Sequence, residues 1–304
     1  MVHNAPVVIF VFKRYLETKK VVESLLSNPE SSKTDVIFYV DGGRTSLEWN
    51  EIAVVVKYIS QIVGFKSISI IERRTNYGLA SSFIEGITEV LSIHPYAIFL
   101  EDDNLVSNQF LKYMNLALKI YENREEVISI SGYTYPLFPK TKKPYLVHGA
   151  DTWSMGTWAR GWALFEENAD IALDKINKLG LKKKINMYGF DYYDMLVQQV
   201  EGKIDSWGVR WWATAVLNNK VSIFPGVPLC INIGGNSRGT HTLAWDPLFG
   251  RELDLAQELD LKALESIRDL NFVFFRFKLM HAILKFQRTL VRLKRIINKF
   301  MVSN

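Results

Sequence analysis

The sequence predicts an α/β fold in which a mixed, mainly parallel sheet is flanked by helices. Short apolar runs rich in β-branched residues alternate with segments of helical spacing over the first 130 residues. Polar turns follow three of these runs directly, at residues 13–14, 41–44 and 101–104. Because open α/β sheets bind ligands at the carboxyl ends of their strands, we expect these three turns to line one rim.

The first unit is a strand, a helix and a second strand. Pro6 to Phe12 (PVVIFVF) is apolar throughout, which is typical of a central strand covered on both faces. Residues 17–26 have helical spacing and end before Pro29. The strand at 35–40 leads into the turn Asp41-Gly42-Gly43-Arg44. A βαβ unit of this length places its two strands parallel.

The same alternation continues along the chain. Three more helices and three more strands are predicted before residue 132. From there Gly, Pro and aromatic residues replace the periodic pattern, and Gly132 to Pro144 is expected to be a loop. Farther on, a helix opens at Asp205 and runs toward Asn218, and a strand follows at 220–224. The helices before residue 132 are predicted at 50–62, 79–93 and 108–123, and the strands at 67–72, 97–100 and 127–131.

The strand at 97–100 ends in three consecutive acids, Glu101, Asp102 and Asp103. Adjacent like charges are costly, so the cluster needs an explanation. One explanation is a solvated turn or helix cap, which Asp and Asn favour. The other is a divalent cation, Mn²⁺ or Mg²⁺, held by hard oxygen ligands at a strand end, where it would neutralise a diphosphate.

Two later segments have a composition that suits ligand binding. Tryptophans cluster at 153–162 and at 207–212, where they either pack in the core or offer flat faces to sugar rings. The loop 234–241 is rich in glycine and carries Arg238 and His241, which suits an anion or a metal but also an ordinary surface loop. The composition leaves both alternatives open in each segment.

The overall composition excludes several classes of protein. With 304 residues and 48% hydrophobic content, the chain is long enough for a full core and is not a disordered protein. Cys230 is the single cysteine, so there is no internal disulfide. The N-terminal apolar run is too short for a secretory signal, and no run reaches the length of a membrane helix. We therefore expect a cytoplasmic protein.

The last 34 residues differ from the rest in charge. Between Asn271 and Asn304 there are eight basic residues and no acid, which accounts for the whole net charge of +5. An apolar stripe at helical spacing includes Phe272, Phe275, Leu279 and Ile283. A basic amphipathic helix of this kind suits the anionic inner face of the cell membrane, with each cation contributing about 1 kcal/mol. Docking against the body of the protein and a helix–helix dimer are the alternatives.

Together these motifs resemble a GT-A glycosyltransferase, in particular the inverting N-acetylglucosaminyltransferase I type. The resemblance covers about residues 5–245 in the right order and leaves the tail unexplained. One departure is Ser81-Ser82, where the animal enzymes of this type carry a basic pair. The matching pieces are PVVIFVFKR, the VDGG turn, NYGLASSF, LEDDN, Gly161-Trp162, Asp205 to Trp207 and the S-x-G-x-H loop ending at His241.

The resemblance implies a role for each matching residue. Asp103 is expected to bind the metal, and Asp205 is the expected catalytic base. An alternative for Asp205 is a helix N-cap, which its position before Ser206 also suits. The residues expected to contact the nucleotide sugar are Arg14 at the diphosphate, Asp41 at the base, Asn76, Glu101, Asp102 near the ribose or sugar, Trp162 and His241.

The predicted function is therefore metal-dependent inverting transfer of a sugar from a nucleotide-sugar donor to a saccharide or lipid-linked acceptor of surface polysaccharide. The resemblance implies that the donor is a UDP-sugar. Such a displacement needs a base for the acceptor hydroxyl and a cation for the departing diphosphate. A binding protein without catalysis is the alternative, and nucleic acid is a poor partner because the body is slightly acidic. We expect a donor half at 1–130, an acceptor and catalytic half at 131–265, and a helical tail at 270–304.

Overall fold

A computed structural model describes residues 4–137, 141–234, 261–267 and 273–283. Its strands are β1 Val7–Val11, β2 Asp35–Val40, β3 Ser67–Glu72, β4 Tyr96–Glu101, β5 Asn104–Val106, β6 Val127–Ser131, β7 Tyr145–His148, β8 Met155–Trp158, β9 Val221–Phe224 and β10 Cys230–Asn232. Its α-helices are α1 Tyr15–Leu26, α2 Ser46–Ile59, α3 Leu79–Leu91, α4 Phe110–Ile120, α5 Ala159–Trp162, α6 Ala169–Lys178, α7 Lys182–Ile185, α8 Tyr192–Val200, α9 Trp207–Leu217 and α10 at 273–283.

Within the described residues, eight strands form one mixed sheet in the order β3-β2-β1-β4-β8-β6-β9-β7. The pairs β2–β3, β1–β2, β1–β4 and β6–β9 are parallel, and the pairs β4–β8, β6–β8 and β7–β9 are antiparallel. The predicted α/β class with a mainly parallel sheet is therefore confirmed. The strand order reverses between β1 and β4, which is the position where such sheets open a crevice for ligands.

Strand β1 illustrates how the sheet is covered by helices on both faces. Val7 and Ile9 belong to one apolar cluster with residues of α1, α2 and α4, whereas Val8 and Phe10 belong to another with residues of α3 and α9. Successive side chains of a strand point to opposite faces, so a strand buried on both faces is apolar at every position. This burial explains why the run PVVIFVF was recognisable in the sequence.

Helix α2 begins earlier than predicted. It starts at Ser46 rather than near residue 50, because the Thr45 side chain caps it by accepting a hydrogen bond from the backbone N–H of Glu48 at 3.2 Å. The predicted bounds of β2, β3 and β6 agree with the structure.

The second half contains elements that the sequence pattern did not reveal. β8 inserts between β4 and β6 and runs antiparallel to both. A separate two-stranded ribbon pairs β10 with β5, which directly follows the acidic residues at the end of β4. Residues 132–137 have no regular structure, as expected of the predicted loop, and β7 begins at Tyr145.

Helix α10 packs on the second half of the protein through Val273, Phe277 and Met280, all of which are buried. The ring of Phe277 lies 4.6 Å from that of Tyr188. Phe275, a member of the predicted apolar stripe, points away and is 64% exposed. The docking alternative is therefore correct for residues 273–283, and the face that docks is not the predicted one. The rest of the predicted tail lies outside the described residues.

Among the described residues, no helix combines the length and the apolar character that crossing a membrane requires.

Candidate active site

An ion-pair cluster occupies the crevice between β1 and β4. Arg14 follows β1, and its guanidinium pairs with Asp102 and, at 2.9 Å between Nη1 and Oδ2, with Asp103. Its Nε also donates to Asp102 Oδ2 at 3.2 Å. The acids follow β4, which pairs with β1 in parallel register, so the two turns lie at the same edge. The structure thus brings together Arg14 and the acidic residues as the sequence predicted.

Asp103 is held from a second direction by the ribbon. Its Oδ1 accepts hydrogen bonds from Asn104 Nδ2 at 3.1 Å and from Asn232 Nδ2 at 2.8 Å. Its backbone carbonyl accepts from the N–H of Ile233 at 2.9 Å. A Cβ atom on Gly234 would collide with the Asp103 carboxylate, so only glycine allows the backbone to lie this close to the ion pair. Asp103 is therefore fixed by β10 as well as by Arg14.

The electrostatics of the cluster favour a cation. Burial raises the pKa of Glu101 well above its usual range, and the charges of Asp103 and Asp102 raise it further. Burial also raises the pKa of Asp102, against the lowering effect of Arg14. Burial opposes the charge of Arg14, but Asp102 and Asp103 raise its pKa, so it stays protonated. Arg14 thus pairs with Asp102 and Asp103, while Glu101 lies beside them without an ion pair to Arg14.

These residues fit a hard divalent cation, because the side chains that converge here offer carboxylate oxygens and carry more negative than positive charge. Within the described ranges, no group of three or more His, Cys, Asp or Glu side chains is arranged around a common metal position. The chain would therefore supply few ligands of its own, and oxygens of a bound diphosphate would have to complete the coordination sphere.

The turn after β2 is built around Asp41, which is 7% exposed. Its Oδ1 accepts from the N–H groups of Gly42 and Tyr77 at 2.9 and 2.8 Å, and its Oδ2 accepts from Gly78 N–H and Asn76 Nδ2, both at 3.0 Å. Asn76 also donates to the carbonyl of Gly42 at 2.8 Å. Asp41 and Asn76 thus clamp the turns after β2 and β3 together beside the Arg14 cluster.

Asp205 precedes α9, and its side chain is 68% exposed. It pairs with Arg210 at 3.2 Å. The N-cap of α9 is Ser206, whose Oγ accepts from the N–H of Val209 at 3.3 Å. The alternative that Asp205 is the helix N-cap is therefore wrong, because the helix begins one residue later than that alternative requires.

Trp162 is 7% exposed, and its Nε1 donates to Thr88 Oγ1 at 2.9 Å. Its ring stacks on Phe165 at 4.3 Å. Trp207 is 4% exposed and stacks on Phe83 at 5.0 Å. Both rings belong to the apolar layer between α3, α9 and the sheet. His241 lies outside the described residues.

Sequence reasoning missed the asparagines of this site. Asn232 is 129 residues away from Asp103 along the chain, and no local pattern connects them. Asn104 was noted only as part of the acidic turn, yet it is fully buried, and its Oδ1 accepts from Ser154 N–H at 3.2 Å. The one available signal was the position of Asn104 immediately after three acids.

Taken together, the fold and the site define a class of protein. It is an open α/β protein whose strand order reverses between β1 and β4, and such proteins bind their ligands in the crevice at the carboxyl ends of these strands. The Arg14–Asp102–Asp103 cluster lies at this crevice.

The chain belongs to glycosyl transferase family 2. The sequence profile of this family matches residues 7–179, more than half of the chain, and includes Arg14, Asp41 and the acidic triplet.

The chain also resembles several solved structures at low identity. The mannosyltransferase PcManGT from Pyrobaculum calidifontis, in complex with GDP-Man and Mn²⁺, is 10% identical with a TM-score of 0.34; the match covers 58% of this chain and 46% of that one. TarS 1-349 of S. aureus is 12% identical with a TM-score of 0.42, covering 73% and 58%. TarS 1-349 in complex with UDP is 11% identical with a TM-score of 0.35, covering 53% and 48%.

This chain thus spans less than two thirds of the length of these structures. No curated protein sequence matches it.

Proposed function

We propose that this protein transfers a sugar from a nucleotide-sugar donor, a UDP-sugar, to a saccharide or lipid-linked saccharide acceptor with inversion, as a hexosyl- or N-acetylhexosaminyltransferase. The observation that carries the proposal is the Arg14–Asp102–Asp103 cluster at the point where the strand order reverses. Family membership supports the reaction class. Within the GT-A family, the N-acetylglucosaminyltransferase I type is the subgroup we propose.

The donor lies along the carboxyl edge of the first half, residues 1–130. Asp103 would hold Mn²⁺ or Mg²⁺, with Asp102 near the ribose or sugar, and a bound cation would neutralise charge on the diphosphate leaving group. Arg14 contacts the diphosphate, and Glu101 supports the two aspartates. Asp41 and Asn76 form the base side of the site through the clamped turns described above. Because four hydrogen bonds already occupy the Asp41 carboxylate, we assign it a positioning role there.

The acceptor is bound by the second half, residues 131–265. Asp205 removes the proton of the acceptor hydroxyl as that oxygen attacks the anomeric carbon and the bond to the diphosphate breaks. Its exposure supports this role, since a base must reach a hydroxyl on the substrate. Trp162 and Trp207 are buried between α3, α9 and the sheet, so they would shape the sugar pocket from behind without offering an open face to it. The loop that carries His241 would close over the nucleotide. With Ser206 as the cap, nothing in the described residues favours the binding protein without catalysis.

We also propose that the basic tail, 270–304, brings the enzyme to the inner face of the cell membrane, where a lipid-linked acceptor of surface polysaccharide would be found. Arg276 is buried against the body, but the six cations at 284–304 and the exposed ring of Phe275 support contact with anionic lipid. Because α10 docks on the body, the informative truncation begins after residue 283. Removing residues 284–304 should weaken binding to vesicles containing phosphatidylglycerol, and unchanged binding would refute the membrane role.

A thermal-shift series tests the proposed function. UDP with Mn²⁺ should raise the melting temperature of the wild-type protein, since a ligand that binds only the native state stabilises it. EDTA should abolish that shift. Asp103→Ala should lose the Mn²⁺-dependent part of UDP binding, whereas Asp174→Ala, an exposed change in α6, should keep it. If UDP and Mn²⁺ produce no shift and no UDP-sugar is hydrolysed, the proposed function is wrong.

A further inference from the structure

The segment 151–154, between β7 and β8, borders the acidic cluster. β8 is antiparallel to β4, with Met155 opposite Phe99, so the residues before β8 run beside the residues that follow β4. The N–H of Ser154 donates to Asn104 Oδ1 at 3.2 Å, and Asn104 in turn donates to Asp103. The segment is therefore joined to the residue that we assign to the metal.

The same segment reaches the start of α9. A Cβ on Gly208 would lie 3.0 Å from Thr152 Cγ2, so the backbone of the first turn of α9 packs directly on Thr152. Asp205 lies immediately before that turn. The half-buried residues Asp151, Thr152 and Trp153 thus connect the acidic cluster on one side with the proposed base on the other.

Asp151 is held rigidly within this segment. Its Oδ1 accepts from the N–H groups of Thr152 at 2.6 Å and Trp153 at 3.0 Å, and its Oδ2 accepts from the hydroxyl of Tyr135 at 2.7 Å. A carboxylate offers about four acceptor positions, so one position on Asp151 is left for another donor. A fixed carboxylate with one remaining acceptor position can select a hydroxyl group in a defined orientation.

In an inverting displacement, the sugar ring lies between the diphosphate and the base that activates the acceptor. On the proposed function, the diphosphate is at Arg14 and Asp103 and the base is Asp205. The ring must then lie against the segment that connects them. We propose that Asp151 is a specificity-determining residue that accepts a hydrogen bond from a hydroxyl of the transferred sugar. This inference rests on the proposed function and adds a contact to the sugar itself.

The test compares affinity for the sugar nucleotide with affinity for the nucleotide alone. Isothermal titration with Mn²⁺ is carried out with UDP, UDP-glucose, UDP-galactose, UDP-N-acetylglucosamine and UDP-N-acetylgalactosamine, and the tightest UDP-sugar is compared with UDP. In Asp151→Asn the UDP affinity should stay unchanged, while the preference for the UDP-sugar over UDP should fall about tenfold, because a charge-assisted hydrogen bond is replaced by a neutral one.

Asp174→Asn is the matched control. Asp174 lies on α6, is 56% exposed and pairs with Lys178 at 2.7 Å, so the same chemical change there should leave both affinities unchanged. If Asp151→Asn keeps the wild-type preference, the inference is wrong and the proposed function stands. If the wild-type protein binds UDP but prefers no UDP-sugar, the inference is equally wrong. If the wild-type protein does not bind UDP with Mn²⁺, the proposed function itself is wrong.

Deoxygenated donors give a second measurement, and its first part uses only the wild-type protein. The wild-type protein should lose about tenfold in affinity when one particular ring hydroxyl of its preferred UDP-sugar is replaced by hydrogen. Asp151→Asn should show no further loss with that analogue, because the two changes remove the same hydrogen bond. A wild-type protein that tolerates every single deoxygenation would overturn the inference.

Discussion

Two sets of carboxylates in this protein are arranged in opposite ways. Asp102 and Asp103 have side chains only 5% and 8% exposed, paired with Arg14 and, for Asp103, hydrogen bonded to Asn104 and Asn232. Asp205 is 68% exposed and, among the described residues, pairs with Arg210. Asp102 and Asp103 are fixed because β1 and β4 end at the same edge of the sheet. Asp205, in contrast, lies in the segment just before helix α9.

The difference corresponds to what each group is proposed to do. A buried carboxylate is stable only beside a cation or several hydrogen-bond donors. A buried cluster therefore holds its negative charges at fixed positions, where a ligand can bind to them. A base has to meet a hydroxyl that arrives with the acceptor, and exposure allows this. The comparison predicts that changes at Asp205 affect the rate and changes at the buried cluster affect binding and stability.

The largest expected effect is that of Asp205→Asn. Removing the base should reduce the rate of sugar transfer about 10²- to 10⁴-fold, because the amide cannot take the proton. UDP binding and the free energy of unfolding should stay as in the wild-type protein, since the side chain is exposed. Initial rates with a UDP-sugar, together with urea denaturation, measure both. A variant with normal transfer rates would remove Asp205 from the mechanism.

Arg14→Met should have the next largest effect, on stability. The change leaves Asp102 and Asp103 buried without their cation, which is destabilising. Because the Arg14 side chain is 27% exposed, solvent screening reduces the cost, and we expect about 2 kcal/mol in urea denaturation. Millimolar Mn²⁺ should restore part of this loss by replacing the missing positive charge. An unchanged unfolding free energy would mean that the cluster is better solvated than its burial indicates.

Ser206→Ala separates the helix cap from the neighbouring base. It removes the hydrogen bond from the N–H of Val209 to Ser206 Oγ and should cost about 1 kcal/mol in the free energy of unfolding. The rate of transfer should stay close to that of the wild-type protein. If Ser206→Ala reduced the rate as strongly as Asp205→Asn, the effect at Asp205 would be attributable to the start of α9 and not to a base.

Asp35→Asn should have the smallest effect. Burial raises the pKa of Asp35, but hydrogen bonds from Lys66 and Ser67 outweigh it and the net pKa is lowered. A lowered folded-state pKa means that the pair contributes stability above the ordinary pKa of aspartate, near 4, and that this contribution is lost as the pH falls through the folded value. With Lys66 51% exposed, we expect a loss below 1 kcal/mol at pH 7 and a smaller loss at pH 3. Equal losses at both pH values would contradict this.

The parallel strands of the first half could be predicted because burial on both faces makes their consecutive residues apolar. A strand covered on both faces has no polar position, so β2 and β3 were found with their observed bounds, and their C-terminal turns could be assigned to one rim. Helices α6 and α8 and strand β8 were not found, since short elements with mixed patterns depend on what packs against them.

The tail shows the same limit in another form. Its helical spacing was visible, but two apolar faces were available, and the structure docks Val273, Phe277 and Met280 while Phe275 stays exposed. Which face docks depends on the aromatic surface around Tyr188 and Phe190, which lies about 90 residues earlier in the chain. Periodicity describes a helix by itself and contains no information about its partner.

Local residue patterns were enough to predict the α/β class, the order of the polar turns and the position of the acids, because strand burial and turn chemistry depend on residues close together in the chain. The three-dimensional fold was needed to show three other meetings: Asn232 with Asp103, Ser154 with Asn104, and segment 151–154 with the start of α9. These contacts join residues far apart in the chain, so sheet order and register had to place them before their chemistry could be recognised.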